Sequence, residues 1–347
     1  MRRLSCEATT KTKSTKSQSD DHAARGDYIN KTMIIKLLKN RSDIGAGTRG
    51  SDMGIDALEI AAINQDDDFF HRHLFEDIAT HNETIYQKNI NSFAKRIEHV
   101  LQQCERVCDS VSTNLQKGYF PIVLSGDHSS ALGVISGIKK AYPEKKLGVV
   151  WIDAHADLHS PFTSPSGNIH GMPLAAAMNL DNLDCRINQV SNETVNSWQQ
   201  LKNIGIQGPK MSPEQLVYFG LRDFESAEES LINQFDVMHF KVEQMRQEGI
   251  NECVQKAILH LQSTDIIFIS FDVDSLDCDQ ISYGTGTPVK SGFTSEEALF
   301  IIELFISTRK VACLEVAEIN PLLDNKGNKM AETAFGILSK LEESITQ

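Results

Sequence analysis

The chain has 347 residues, of which 40% are hydrophobic, enough to bury a large core in one or two domains. Its formal net charge of −13 argues against non-specific nucleic-acid binding, which requires a basic surface. No stretch approaches the roughly 20 apolar residues of a membrane span, and seven scattered cysteines without an apolar signal segment indicate a cytoplasmic protein with reduced thiols.

The first 30 residues differ from the rest of the chain. They are rich in Lys, Arg, Ser, Thr and Asp and contain hardly any large apolar side chain. Such a segment cannot offset the entropy lost on ordering, so residues 1–30 are predicted to be a flexible leader. Residues 31–347 are predicted to form a single domain, because no linker rich in Pro, Gly or Ser interrupts them.

Short apolar, β-rich runs alternate with helical patterns from residue 33 onward. The strand-like runs occupy residues 33–38, 121–125, 147–152, 216–221, 266–271 and 311–316. Helical periodicity lies between them, for example at 92–116 and at 295–307, where Thr294 and Glu297 are spaced as a capping box. This order predicts an α/β fold with a mainly parallel sheet and helices on both faces.

A glycine-rich segment follows the first predicted strand. Residues 45–50 read Gly-Ala-Gly-Thr-Arg-Gly and precede a helical run at 52–63, an arrangement that suits a dinucleotide pyrophosphate. However, polar residues 39–43 separate the strand from the glycines, and residues 64–68 are polar where a second strand should carry a ribose-binding acid. A flexible loop or turn is therefore favoured, and a nucleotide site is kept as the alternative.

Histidine and aspartate cluster at the ends of three predicted strands. One residue follows the run that ends at 125, three follow the run that ends at 152, and two follow the run that ends at 271, namely His128, Asp153, His155, Asp157, Asp272 and Asp274. Alternation along an extended segment predicts that Asp153, His155 and Asp157 face one side. Open α/β sheets keep their active sites at this edge.

Two imidazoles and four carboxylates at one edge of a sheet require a counter-charge, because like charges cannot stay close together at low dielectric. If Asp153 and Asp272 bridge, the six side chains can hold two ions and leave positions for water. The mixed nitrogen and oxygen donors, without a thiolate, favour Mn²⁺ over structural zinc. The clusters therefore predict a site for two metal ions.

Three motifs also occur in an order specific to one enzyme family: Ser125-Gly126-Asp127-His128-Ser129, Asp153-Ala154-His155-Ala156-Asp157 and Ser270-Phe271-Asp272-Val273-Asp274-Ser275-Leu276-Asp277. They resemble the ureohydrolases, the dinuclear manganese enzymes that comprise arginase, agmatinase and formiminoglutamase, and the resemblance covers roughly residues 33–340. It implies the three-layer α/β/α arginase fold, a ureohydrolase catalytic domain, two Mn²⁺ per subunit and a homo-oligomer, trimeric or hexameric. Co²⁺ or Fe²⁺ would suit the same donors.

The resemblance also implies which residues act. One ion would be held by His128, Asp153, Asp157 and Asp272, and the other by Asp153, His155, Asp272 and Asp274. A metal-bridging hydroxide would attack the guanidinium carbon, with Asp157 as the first proton acceptor. His170 matches the proton-shuttling histidine of the family, and Glu318 matches the glutamate that grips the guanidinium.

The loop after Asp157 looks like the arginase loop that binds the carboxylate of the amino acid. The expected substrate-binding residues are His159, Ser164, Ser166, Asn168, Glu225, Glu228 and Thr287. His159 stands where many arginases have asparagine, and Glu225 where aspartate usually binds the α-amino group. L-Arginine is therefore the expected substrate, with agmatine or another guanidino or formimino compound as the alternative, and a nucleotide- or metal-binding protein without hydrolase activity as the non-enzyme alternative.

One further segment is longer than is typical of arginases. Val195, Trp198 and Leu201 recur at helical spacing within residues 190–202. This pattern predicts an inserted helix, and packing is the favoured role over a lid at the rim of the active site.

Overall fold

The computed structural model describes residues 33–347, so the predicted leader at residues 1–30 lies outside the described residues. Contacts within Met33–Gln347 form one unit. Its centre is an eight-stranded sheet in the order β2-β1-β3-β8-β7-β4-β5-β6, and every neighbouring pair is parallel. The strands are β1 (Ile34–Asn40), β2 (Leu74–Asp77), β3 (Tyr119–Ser125), β4 (Leu147–Ile152), β5 (Leu216–Phe219), β6 (Met238–Phe240), β7 (Ile266–Asp272) and β8 (Val311–Ala317).

Helices cover both faces of the sheet. They are α1 (Gly54–Asn64), α2 (Phe69–Arg72), α3 (Ile97–Gln116), α4 (Ala131–Ala141), α5 (Pro173–Ala177), α6 (Asn192–Lys202), α7 (Ser226–Gln234), α8 (Val242–Glu248), α9 (Ile250–His260), α10 (Ser295–Ile306) and α11 (Lys329–Thr346). Between residues 33 and 347, no helix is long and apolar enough to cross a membrane.

The central strands are buried on both sides, and alternation along each strand divides the core in two. On β4, Val150 and Ile152 belong to the hydrophobic cluster that includes side chains of α1, α9, α10 and α11. Val149 and Trp151 belong to the opposite cluster, with side chains of α3, α4 and α6. Such continuous apolar strands are typical of parallel sheets that carry helices on both faces. The structure thus confirms the predicted three-layer α/β/α fold.

The sequence predicted the six inner strands but missed the two at the sheet edges. β2 and β6 have four and three residues, and β2 is largely exposed. Edge strands bury little apolar surface, so their periodicity is weak. Helix α3 begins at Ile97, not at residue 92, because Arg96 has a left-handed backbone with φ of 57°. The helix predicted at 190–202 is α6, and Trp198 and Leu201 are buried in the core, which supports a packing role.

Candidate metal and active site

The candidate ligands meet at the carboxyl ends of three neighbouring or near-neighbouring strands in the middle of the sheet. His128 follows β3, Asp153 follows β4, and Asp272 is the last residue of β7. The Nδ1 atom of His128 lies 3.1 Å from a carboxylate oxygen of each of Asp153, Asp157 and Asp272. All four side chains are buried. The structure therefore brings together, inside the protein, the whole set predicted to hold the first ion.

A second group lies beside the first. The Nδ1 atom of His155 is 2.9 Å from Asp274 Oδ2 and 3.5 Å from Asp153 Oδ1. Among the residues that the structure describes, ligand atoms of His128, Asp153 and Asp272 lie within 4.8 Å of one another, as do those of Asp153, His155 and Asp274. Asp153 is therefore common to both groups, as expected of a bridging ligand, whereas Asp272 falls in the first group alone.

The ligands do not converge in the way the sequence pattern suggested. β4 ends at Ile152, and Asp157 has a left-handed backbone with φ of 52°, so residues 153–157 do not form an extended segment with alternating faces. Asp274 lies in a 3₁₀ turn after β7. The expectation of strand alternation was wrong, because tight turns rather than a continued strand direct these side chains to one point.

The ring of His128 is held from its other side by residues that the sequence analysis missed. Its Nε2 atom lies 2.7 Å from Ser270 Oγ, and Ser270 donates in turn to Glu315 Oε2 at 2.9 Å. Ser125 donates to the second oxygen of Glu315 at 2.6 Å, and the His128 ring stacks on Trp151. Hydrogen bonding at Nε2 fixes the tautomer that leaves Nδ1 as a lone-pair donor, which is the usual support of a metal-binding histidine. Glu315, a charged residue within the apolar strand β8, was the feature of the sequence that could have indicated this hydrogen-bonded support.

The charges of the site fit a cation. Burial raises the pKa of Asp272 well above its usual range and that of Asp274 to about 6, and it raises the pKa of Asp157 with a further contribution from Asp153. The buried atoms His128 Nδ1 and Asp153 Oδ2 have no well-formed hydrogen bond. Without a cation, burial favours protonation of these carboxylates, and two buried atoms that could bind a metal lack a well-formed hydrogen bond. A divalent cation would neutralise the carboxylates and bind these atoms.

His170 and Glu318 form an ion pair next to the metal ligands. His170 Nδ1 is 3.0 Å from Glu318 Oε1, which also accepts a hydrogen bond from the backbone N–H of His128 at 2.9 Å. Burial by itself would lower the pKa of His170, but the Glu318 carboxylate outweighs it and raises that pKa to about 9. The backbone of Glu318 is left-handed, with φ of 68°. The imidazole is therefore protonated at neutral pH and can donate a proton.

A second histidine with acidic partners occupies the end of the cavity predicted to receive the amino-acid part of the substrate. His159 Nε2 lies 2.8 Å from Glu225 Oε2 and 3.4 Å from Glu228 Oε2, and its Nδ1 lies 3.1 Å from Thr163 Oγ1. The hydrogen bond from His159 lowers the pKa of Glu225 to about 2, whereas burial raises that of Glu228 to about 8. Both ring nitrogens of His159 thus already have partners within the protein.

The remaining predicted residues divide into two kinds. Ser166, Asn168 and Thr287 line the cavity, and Thr287 Oγ1 donates to Asp274 Oδ2 at 3.1 Å. Ser164 does not line it, because its buried hydroxyl accepts a hydrogen bond from the backbone N–H of Gly167 at 2.9 Å. Ser164 therefore supports the loop, and residue spacing does not distinguish its role from that of Ser166.

The predicted residues enclose a cavity of about 280 Å³. It is lined by His128, His155, Asp157, His159, Ser166, Asn168, His170, Gly171, Asp223, Glu225, Glu228, Asp272, Asp274, Thr287 and Glu318. Asp153 is fully buried and does not line the cavity. Of the lining residues, Gly171 and Asp223 were not predicted; Asp223 Oδ2 lies 3.7 Å from His155 Nε2.

The glycine-rich segment at 45–50 supports the site and does not form a phosphate cradle. The N–H of Gly45 donates to Asp127 Oδ2 and the N–H of Gly50 donates to Asp43 Oδ2, both at 2.9 Å. Amides that already bind internal carboxylates are not free to bind phosphate. Much of the loop is buried, and Gly45 O accepts a hydrogen bond from the N–H of His170 at 3.2 Å. The prediction of a loop or turn is therefore confirmed, and residues 42–46 of it are buried against the site.

Comparisons with known proteins find one family that matches most of this chain. The model of the arginase family, described as "Arginase family", matches residues 37–341. An arginase of Brevibacillus brevis is 33% identical over 327 residues, which cover 90% of this chain and 98% of that protein. An arginase of Bacillus caldovelox is 32% identical over 310 residues, or 88% of this chain and 97% of that protein. The solved native structure of the Bacillus caldovelox arginase has a TM-score of 0.77 at 30% identity, covering 91% of this chain and 99% of that one.

Proposed function

The chain belongs to the arginase family, and we propose that it hydrolyses the guanidinium group of L-arginine to L-ornithine and urea. The observation that carries this proposal is a pair of His and Asp groups that share Asp153 and whose other members line one cavity with Glu318. The carboxylate of Glu318, next to a candidate site for two cations, is suited to bind a planar, positively charged guanidinium group. Agmatine and formimino compounds are less well supported, because the relatives reported above are arginases.

We propose two Mn²⁺ per subunit as the cofactors, with Co²⁺ or Fe²⁺ able to use the same donors. His128, Asp153, Asp157 and Asp272 would hold one ion, and Asp153, His155 and Asp274, with Asp272, would hold the other. When bound, such a pair of cations makes hydroxide available near neutral pH by lowering the pKa of water.

The side chains of the protein then divide the work at the reacting carbon. Glu318 binds the guanidinium through the carboxylate oxygen that does not contact His170, and it turns the carbon toward the metal ligands. Asp157 accepts the first proton. The imidazolium of His170 donates a proton to the departing amine, a role supported by its 3.0 Å contact with Glu318.

The other end of the cavity distinguishes an amino acid from a simple amine. Ser166 and Asn168 are neutral donors suited to the α-carboxylate, while Glu225 and Glu228 are suited to the α-ammonium group. His159 contributes by holding Glu225 at 2.8 Å, and Ser164 by holding the loop. Thr287 contacts Asp274 and borders the substrate.

We further propose that the protein is cytoplasmic and assembles as a homo-oligomer, trimeric or hexameric. The six cysteines within the described residues are all free thiols, in keeping with a reducing compartment. The oligomer rests on family resemblance, and light scattering of the purified protein measures it directly.

The activity is tested with purified protein, Mn²⁺ and three substrates: L-arginine, agmatine and formiminoglutamate. Formation of equal amounts of urea and ornithine from arginine, at a higher kcat/KM than for the other two, is the expected result. Faster release of urea from agmatine would overturn the choice of arginine. If none of the three substrates is hydrolysed and a nucleotide is found tightly bound, the non-enzyme alternative would be favoured.

A further inference from the structure

A lysine outside the predicted site contacts one of its substrate-binding residues. Lys95 lies in the turn that precedes α3, and its Nζ atom donates to Asn168 Oδ1 at 3.0 Å. The backbone N–H of Lys95 also donates to Gly167 O at 2.8 Å. The turn at Lys95 and the loop that carries Asn168 are therefore joined by a backbone hydrogen bond and a side-chain hydrogen bond.

Both ends of the Asn168 amide are thereby constrained. Lys95 holds the oxygen, and on the nitrogen side Gly47 comes so close that a β-carbon there would lie 2.5 Å from Nδ2. A carboxylate only accepts hydrogen bonds, so it requires the NH₂ of an amide and is repelled by the oxygen. An ammonium at Oδ1 selects the orientation that leaves the NH₂ group for a ligand.

The charge of Lys95 matters because the cavity is strongly acidic. Its lining includes the seven carboxyl side chains Asp157, Asp223, Glu225, Glu228, Asp272, Asp274 and Glu318, and it contains neither Lys nor Arg. Bound cations would offset the charge of Asp157, Asp272 and Asp274, but the carboxylates of Asp223 and Glu225, which hold no metal in the proposed arrangement, still repel a substrate carboxylate. An otherwise identical amine does not meet this repulsion. Lys95 is half-buried, which strengthens its field relative to a fully solvated charge.

We propose that Lys95 is a positioning residue that gives this site its preference for substrates with an α-carboxylate, by orienting the Asn168 amide and placing a positive charge behind it. The inference rests on the proposed hydrolysis of L-arginine and adds a specificity determinant to it. It concerns the end of the substrate remote from the guanidinium, so the chemical step itself is not expected to depend on Lys95.

The test is Lys95→Met in the full-length, Mn²⁺-loaded protein, with arginine and agmatine as substrates. Agmatine is arginine without the α-carboxylate. Loss of a charge-assisted hydrogen bond predicts a fall of about tenfold or more in kcat/KM for arginine, mainly through KM. The value for agmatine should stay within about twofold, and Lys95→Arg should restore much of the arginine activity.

Lys117→Met is the matched control, because Lys117 is an exposed lysine at the other end of α3 and its loss changes the net charge equally. It should leave both substrates unaffected. An equal effect of Lys95→Met on arginine and agmatine, or no effect on either, would overturn the inference.

Calorimetric binding of ornithine and putrescine separates this inference from the proposed activity. These two ligands differ by the same carboxylate, and their binding requires no turnover. If the wild-type protein releases no urea, the proposed function fails, yet a selective loss of ornithine binding in Lys95→Met would still support the role of Lys95. Unchanged ornithine binding in a folded Lys95→Met variant would refute that role whatever the turnover.

Discussion

Replacing Ser270 by alanine tests whether the buried chain from His128 to Glu315 supports metal binding. Ser270 Oγ lies 2.7 Å from His128 Nε2, and its hydroxyl donates to Glu315 at 2.9 Å. When Nδ1 binds a cation, the ring proton must be on Nε2, and the variant leaves that N–H buried without an acceptor. In the metal-free protein the proton can move to Nδ1, which faces three carboxylates at 3.1 Å. The penalty therefore falls mainly on the metal-bound state.

The size of the effect follows from the cost of an unsatisfied buried donor. That cost is about 1–3 kcal/mol, and about 1.4 kcal/mol corresponds to a factor of ten in affinity. We expect Mn²⁺ affinity to fall about 10- to 100-fold, in the range found for residues that support metal ligands. Turnover should recover when Mn²⁺ is raised to saturation, because no ligand has been removed.

The assay is a calorimetric titration of the metal-free protein with Mn²⁺, with urea release measured at each metal concentration. Ser136→Ala is the control, because Ser136 is fully buried and its hydroxyl has no hydrogen-bond partner among the described residues. Wild-type Mn²⁺ affinity in Ser270→Ala, at unchanged stability, would refute the argument that this hydrogen bond fixes the tautomer of His128.

Three other changes probe the metal ligands, the proton donor and the substrate end. Asp274→Ala should lose bound Mn²⁺ and nearly all urea release, measured by metal content after dialysis, and a full complement of metal would contradict its role. His170→Ala should keep its metal but turn over slowly, and unchanged turnover across pH would exclude a proton-transfer role. His170 also predicts a pH dependence, because its pKa is about 9 in the folded protein and about 6.5 when unfolded. Its pairing with Glu318 should stabilise the metal-free fold fully below about pH 6.5 and lose this contribution, about 3 kcal/mol, as pH rises through about 9; urea unfolding of His170→Gln should lack that slope. His159→Asn should raise KM for arginine about threefold to tenfold with little change in kcat, because the exposed Glu225 loses its tether; an equal loss in kcat would argue for a role in the chemistry instead.

The grouping of the candidate metal ligands was predictable because it depends on local sequence. Apolar runs that end at Ser125, Ile152 and Phe271 identify buried strands, and parallel strands place their carboxyl ends at one edge. Histidine and aspartate directly after those ends must then lie together. The types of donor and the need for a cation follow from composition and charge.

The orientation of the side chains in the site was not predictable from residue spacing. Asp157 and Glu318 adopt left-handed backbone conformations with φ of 52° and 68°, which non-glycine residues rarely take and which no sequence pattern announces. The surrounding packing imposes these conformations. The predicted residues therefore lie together as expected, but turns rather than strand alternation orient their side chains.

The sequence by itself determined the α/β class, the strands of the sheet interior and the residues that can bind metal, because periodicity and strand ends are properties of short segments. Only the tertiary structure decided which partners those residues have. His159 meets Glu225 across 66 positions of the chain, and Lys95 meets Asn168 across 73. Such contacts depend on how turns fold back on a finished sheet, and the side-chain environment they create sets the pKa of each group and the selectivity of the cavity.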